Sequence, residues 1–166
     1  MPGKNITSYT IKEMPSAITL AAYSNVVIAV GINDLITHQT PPRLLINMLH
    51  NKCHLIHRLN EKCKIYLSMV LPTQNRHVNE VIMMYNNFLH ELARKHHNLY
   101  IVNNNIFASD EHYLLRSEYI RNIKDPIHIN FIAQKQLILN IKDAVLRRSA
   151  SVQESLKYAR ATRYNT

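Results

Sequence analysis

The stretch VVIAVGINDL, residues 26–35, decides the fold. Five apolar residues run unbroken into Gly31, one of only two glycines in the 166-residue chain, and Asn33 and Asp34 follow at once. A short, β-branched apolar run bounded by a turn reads as a strand with little solvent on either face. A polar turn at its carboxyl end raises the question of what the turn is for.

Working outward, two similar runs follow at 64–71 and 98–102, and each of the three strands leads through polar residues into a helical pattern. Pro41 and Pro42 open the first long helix, where Leu44, Leu45, Met48, Lys52, Leu55, Ile56 and Leu59 are expected on one face. The second is expected over 78–96, with Val81, Ile82, Tyr85, Phe88, Leu89 and Leu92 inward. The last is expected over 130–148, with Phe131, Ile132, Leu137, Ile138, Ile141 and Val145 as its stripe. Strands alternating with long helices imply right-handed crossovers and a parallel sheet covered on both faces. Ligands of such sheets bind beyond the carboxyl ends of the strands, where the Gly31 turn, Leu71-Pro72-Thr73-Gln74 and a long loop at 103–127 all fall. Loops of that length are usually functional or mobile.

Composition narrows the class. Apolar residues make up 46% and charged residues 19%, as expected of one globular domain over 1–148. No apolar run approaches the roughly 18 residues of a membrane span, and no secretory signal opens the chain. Cys53 and Cys63 lack the pattern of a disulfide framework and read as reduced thiols, so an intracellular, cytoplasmic location is expected. The net charge is +9, and five basic residues against one acid follow from Arg147 onward. A basic tail at 149–166 could touch nucleic acid or anionic lipid; a solvated, flexible terminus is the plainer reading.

A second motif precedes the last helix, Lys124-Asp125-Pro126-Ile127-His128-Ile129-Asn130. Pro126 holds Asp125 extended. An Asp and a His three apart across a turn can place a carboxylate beside one ring nitrogen and leave the other free to take a proton. The bland reading is a helix start capped by Asn130.

Taken together, Gly31-Ile32-Asn33-Asp34 and Asp125-Pro126-Ile127-His128 resemble the paired motifs of the SGNH (GDSL-type) hydrolases, a family of esterases and lipases. Leu71-Pro72, then Asn79, Ile82 and Asn86, looks like the family's intervening pattern, as does Ile129-Asn130; Ala133 stands where many members carry Gly. Pro2-Gly3-Lys4-Asn5-Ile6 looks like the loop whose glycine N–H faces the substrate. The resemblance covers residues 2–146 and implies a flavodoxin-like three-layer α/β/α sandwich lacking the family's first strand. It also implies roles: His128 as general base, Asp125 as its orienting carboxylate, Gly3 and Asn33 as oxyanion donors. Gly31 would turn the backbone and leave room for substrate, and Asp34 would support the turn. No metal or organic cofactor is implied; the substrate would be a small acyl ester.

The family's nucleophile, a serine in a Gly-Asp-Ser turn, has no counterpart among the 166 residues, and Ser8, Ser16 and Ser24 do not sit on a strand-to-helix turn. Without a nucleophile a general base has nothing to activate. Three arrangements fit: a fragment of a longer esterase, a partner chain that covers the open sheet edge and supplies the serine, or a degenerate relative kept for binding. The first is preferred. Similar domains also occur in LINE-type retrotransposon proteins. The rival reading is a non-catalytic module holding RNA through the tail, with Arg116, Arg121 and Lys124 of the long loop, or binding another protein.

One further cluster invites a metal reading. His50, Cys53, His54 and His57 share a face of the first long helix, but that face is expected opposite its apolar stripe and reads as solvated. His96-His97 close the next helix, where imidazolium suits the dipole.

Overall fold

The computed structural model describes residues 8–109, 113–122 and 125–163, leaving out the side chains of 125–127 and 148–163. The element order is α1 (Ala17–Ala21), β1 (Asn25–Ile28), α2 (Ile32–Ile36), α3 (Pro42–Leu59), β2 (Lys64–Ser68), α4 (Arg76–Lys95), β3 (Leu99–Val102), β4 (Ile120–Asn122), β5 (Asp125–Ile129) and α5 (Phe131–Arg163). Among the described residues the main sheet has three parallel strands in the order β1-β2-β3, with Val26 opposite Ile65 and Ile65 opposite Leu99. Each strand is joined to the next by a long helix, as parallel pairing requires.

Alternation along the strands sorts the two faces. Val26, Ile28, Ile65, Leu67 and Leu99 pack with Leu45, Leu49 and Ile56 of α3 and Ile82 and Leu89 of α4. On the opposite face the rings of Tyr66 and Tyr100 stack 5.2 Å apart, and α5 packs across β2 and β3. The result is an α/β/α three-layer sandwich of flavodoxin-like type. No helix among the described residues is long and apolar enough to cross a membrane.

The helical stripes are shifted from those expected. In α3 the buried residues are Leu45, Ile46, Leu49, Cys53 and Ile56, while Leu44, Leu55 and Leu59 are exposed. In α4 Asn79 and Asn86 are buried and Val81 is exposed. Polar residues won these places because backbone ends nearby need hydrogen-bond partners, a demand that apolar periodicity does not register. In α5 Phe131, Ile132 and Ile138 are exposed, and among its described side chains Ala133 is the buried position. That helix also continues to Arg163 rather than ending near Arg148, since no Gly or Pro interrupts it.

The long loop has more structure than expected. Phe107, Leu115 and Tyr119 form a second small core with Ala133, the Phe107 and Tyr119 rings lying 4.9 Å apart. The loop then turns back as the antiparallel pair β4–β5 before entering α5.

Candidate active site

The turn after β1 is built around Gly31, whose φ of 121° side chains rarely adopt. A Cβ there would lie 3.2 Å from the Tyr85 ring. The space on the Cβ side of Gly31 is therefore filled by Tyr85. Asn33 lies in the first turn of α2, half-buried, and its Nδ2 donates to the Tyr9 carbonyl at 3.1 Å. One amide hydrogen is thus engaged in tethering the preceding segment, and an amide carries two. Asp34 is buried and accepts the Ile11 N–H at 3.0 Å, so its carboxylate ties chain to chain behind the turn. Burial, with the Asp34 charge adding to it, holds the Tyr85 phenol well above its ordinary range.

The end of β2 is braced from α4. Asn79 accepts the Thr73 N–H at 2.7 Å and the Thr73 hydroxyl at 2.9 Å, and donates to the carbonyls of Thr73 and Tyr113 at 2.9 and 2.8 Å. Asn86 exchanges two bonds of 2.9 Å with the Val70 backbone. From the other side Asn104, which no sequence signal singled out, donates to Ser68 Oγ and the Met69 carbonyl at 2.9 and 2.8 Å. Its own carbonyl accepts from Asn140 of α5 at 3.0 Å. Three buried asparagines thereby hold the strand ends in place.

Beyond those strand ends lies a cleft of about 180 Å³ lined by Ala29, Val30, Ile32, Ser68, Met69, Val70, Leu71, Ile129 and Leu137. Ile32 precedes Asn33 and Ile129 follows His128, so chain neighbours of both motif residues line one cavity, and neither Asn33 nor His128 is among its walls. Ser68 is its serine, a residue the sequence reading passed over; it is buried and bonded to Asn104 and to the Met69 carbonyl, not presented at a turn. Ser8 and Ser16 bond local backbone, Ser16 capping α1.

The Asp125-to-His128 segment is the strand β5 rather than a turn. In a regular strand, residues three apart face opposite ways. Here the rungs Ile120↔Ile129 and Asn122↔Asp125 leave one residue between them on β4 and three on β5. Such a bulge re-aims side chains. His128 is exposed, whereas the Asp125 side chain, Gly3 and Lys124 lie outside what the structure describes. Asn130 locks the junction: its Nδ2 donates to the Glu118 and Ile120 carbonyls at 2.7 and 3.2 Å, and its Oδ1 caps α5 through the Ala133 N–H at 3.0 Å. Chemically, the arrangement offers an apolar slot at the strand ends and no built nucleophile among the described residues.

No protein-family model matches this sequence, and no curated protein matches it. Solved structures do. A Streptococcus pneumonia protein named for platelet activating factor is 22% identical with a TM-score of 0.64, over 78% of this chain and 67% of that one. A carbohydrate esterase family 3 protein from Talaromyces cellulolyticus is 13% identical with a TM-score of 0.58, over 80% of this chain and 67% of that one. An acetyl esterase, solved as a serine-to-alanine mutant with acetate ion, is 13% identical with a TM-score of 0.59, over 82% of this chain and 69% of that one. The chain spans about two thirds of each of them and shares its fold with these structures, two of which are esterases by name.

Proposed function

We propose that these residues form the histidine-bearing part of a carboxylic ester hydrolase of the SGNH type. The observation that carries the reading is the shared cleft: Ile32 and Ile129, chain neighbours of Asn33 and His128, line the same cavity at the strand ends. In this reading His128 is the general base, oriented by Asp125, and Asn33 and Gly3 donate to the oxyanion. The apolar walls take the acyl group of a small ester. The nucleophilic serine comes from a strand-to-helix turn outside these 166 residues, on the same polypeptide or on a partner chain seated along β1. Esterase names among the structural neighbours support the reaction class.

The test is turnover of p-nitrophenyl acetate by the 166-residue chain, alone and coexpressed with a segment bearing a Gly-Asp-Ser turn. Turnover is expected only in the second arm, falling about 100-fold or more with His128→Ala, the usual scale of general-base loss. Turnover indifferent to His128→Ala, or absent from both arms, overturns the proposal.

A further inference from the structure

The two faces of the three-stranded sheet are covered unequally. On one, α3 and α4 pack side by side over Val26, Ile28, Ile65, Leu67 and Leu99. On the other, α5 packs chiefly across β2 and β3. Val27, Tyr66 and Tyr100 stand in register on that face. Tyr66 is fully buried, whereas Val27, one strand away, is 38% exposed.

The two flanks of α5 differ in the same sense. Successive residues of a helix advance by about 100°. On that spacing Asn140, Asp143 and Arg147 share the flank that borders a recess with Tyr100, Ile101 and Asn103. The opposite flank, on the β1 side, carries Ile138, Ile141 and Val145, with Phe131 at its start. Phe131 and Ile138 are 66% and 53% exposed. The polar member of that flank, Gln134, donates to the Ile129 carbonyl at 3.4 Å, beside the cleft at the β1 end.

We propose that the free edge of β1 and this flank of α5 together dock one strand-plus-helix unit of a partner chain. Its strand adds parallel to β1, and its amphipathic helix lies over β1 beside α5. Spacing decides for this occupant. Strands lie about 4.8 Å apart and packed helices about 10 Å apart. A helix set about 10 Å from α5, which sits over the β2–β3 pair, comes down roughly midway between β1 and one added strand. One strand and one helix thus close the face together. A second copy does not: two β1 edges paired about a two-fold axis would leave the α5 helices roughly 19 Å apart, with a gap one helix wide. Lys135 and Lys142 stand exposed on the outer side of the flank, so the docked helix is favoured by acidic residues along that rim. The inference rests on the reading above only for the serine such a unit would carry; the docking follows from sheet and helix spacing.

The probe is a synthetic peptide of about 30 residues: a Val/Ile strand, a Gly-Asp-Ser turn, and a helix with Leu on one face and Glu beside it. It is titrated into the 166-residue chain by calorimetry, with sedimentation velocity alongside. A one-to-one complex with a Kd in the micromolar range is expected, and it should displace any association of the chain along β1. The strand or the helix alone should bind about ten-fold more weakly or worse. Val27→Lys and Ile138→Lys should each cost about ten-fold or more in affinity, whereas Ile132→Lys, on the other side of α5, should not. All three positions are exposed, and circular dichroism checks that each variant folds. No one-to-one complex at about 100 μM peptide, full affinity in both Val27→Lys and Ile138→Lys, or a strand that binds as well without its helix overturns the proposal. Complex formation supports the docking whether or not p-nitrophenyl acetate is turned over, so the docking and the ester-hydrolase reading fail separately.

Discussion

Gly31 is constrained twice, by its φ of 121° and by the Tyr85 ring 3.2 Å from where a Cβ would stand. Alanine there must strain the backbone and displace a buried ring that has few ways to move. Gly31→Ala is expected to lower stability by about 2–3 kcal/mol, read as a reduced midpoint in urea unfolding. Neutral behaviour would mean that the turn relaxes without Tyr85. The need for a glycine at this turn was legible from its place after an apolar run. That the neighbouring volume belongs to Tyr85 was not, because the two residues are far apart in the chain. Asn33 shows the same limit: an amide at a turn was readable, and its bond to the Tyr9 carbonyl was not.

At the scale of elements, the alternation of β1, β2 and β3 with α3, α4 and α5 was legible, since apolar runs and capping residues announce themselves locally; the short helices α1 and α2 and the β4–β5 pair were not. Which helical residues point inward was less so. Asn79 and Asn86 take inward places in α4 because the chain leaving β2 presents unpaired backbone to them, and periodicity counts only apolar residues. The junction of α3 and α4 adds a pH dependence. His96 has a lowered pKa, from burial first and from neighbouring imidazoles next. The folded chain therefore binds fewer protons there than the unfolded chain does, and stability rises with pH across that window. The contribution is intact above the ordinary histidine pKa of about 6.5 and is lost as pH falls through it toward the depressed folded value. The urea midpoint is expected to drop between about pH 7.5 and 5.5, and less steeply in His96→Gln. Equal slopes for the two proteins would remove His96 as the cause.

For the molecule as a whole, the open side of the sheet is the dominant feature. Among the described residues β1 pairs only with β2, and Val27 on its less covered face is 38% exposed. Unpaired N–H and C=O groups beside an apolar strand invite a further strand. We expect concentration-dependent association in sedimentation velocity, reduced by Val27→Lys, since a charge on an edge strand opposes added pairing. A monomer at every concentration would show that this edge is protected.

What the sequence by itself determined is the alternation of the three main strands with the long helices, the parallel α/β class, and the two polar motifs near residues 33 and 128, because each of these is written in local pattern. Only the tertiary structure decided that Ile32 and Ile129 line one cleft, that the β4–β5 register shifts between the rungs at Asp125 and Ile129, that buried asparagines hold the strand ends, and that two histidine segments meet. Those outcomes depend on contacts between residues far apart in the chain, where close packing and the satisfaction of buried polar groups, rather than periodicity, select the partner.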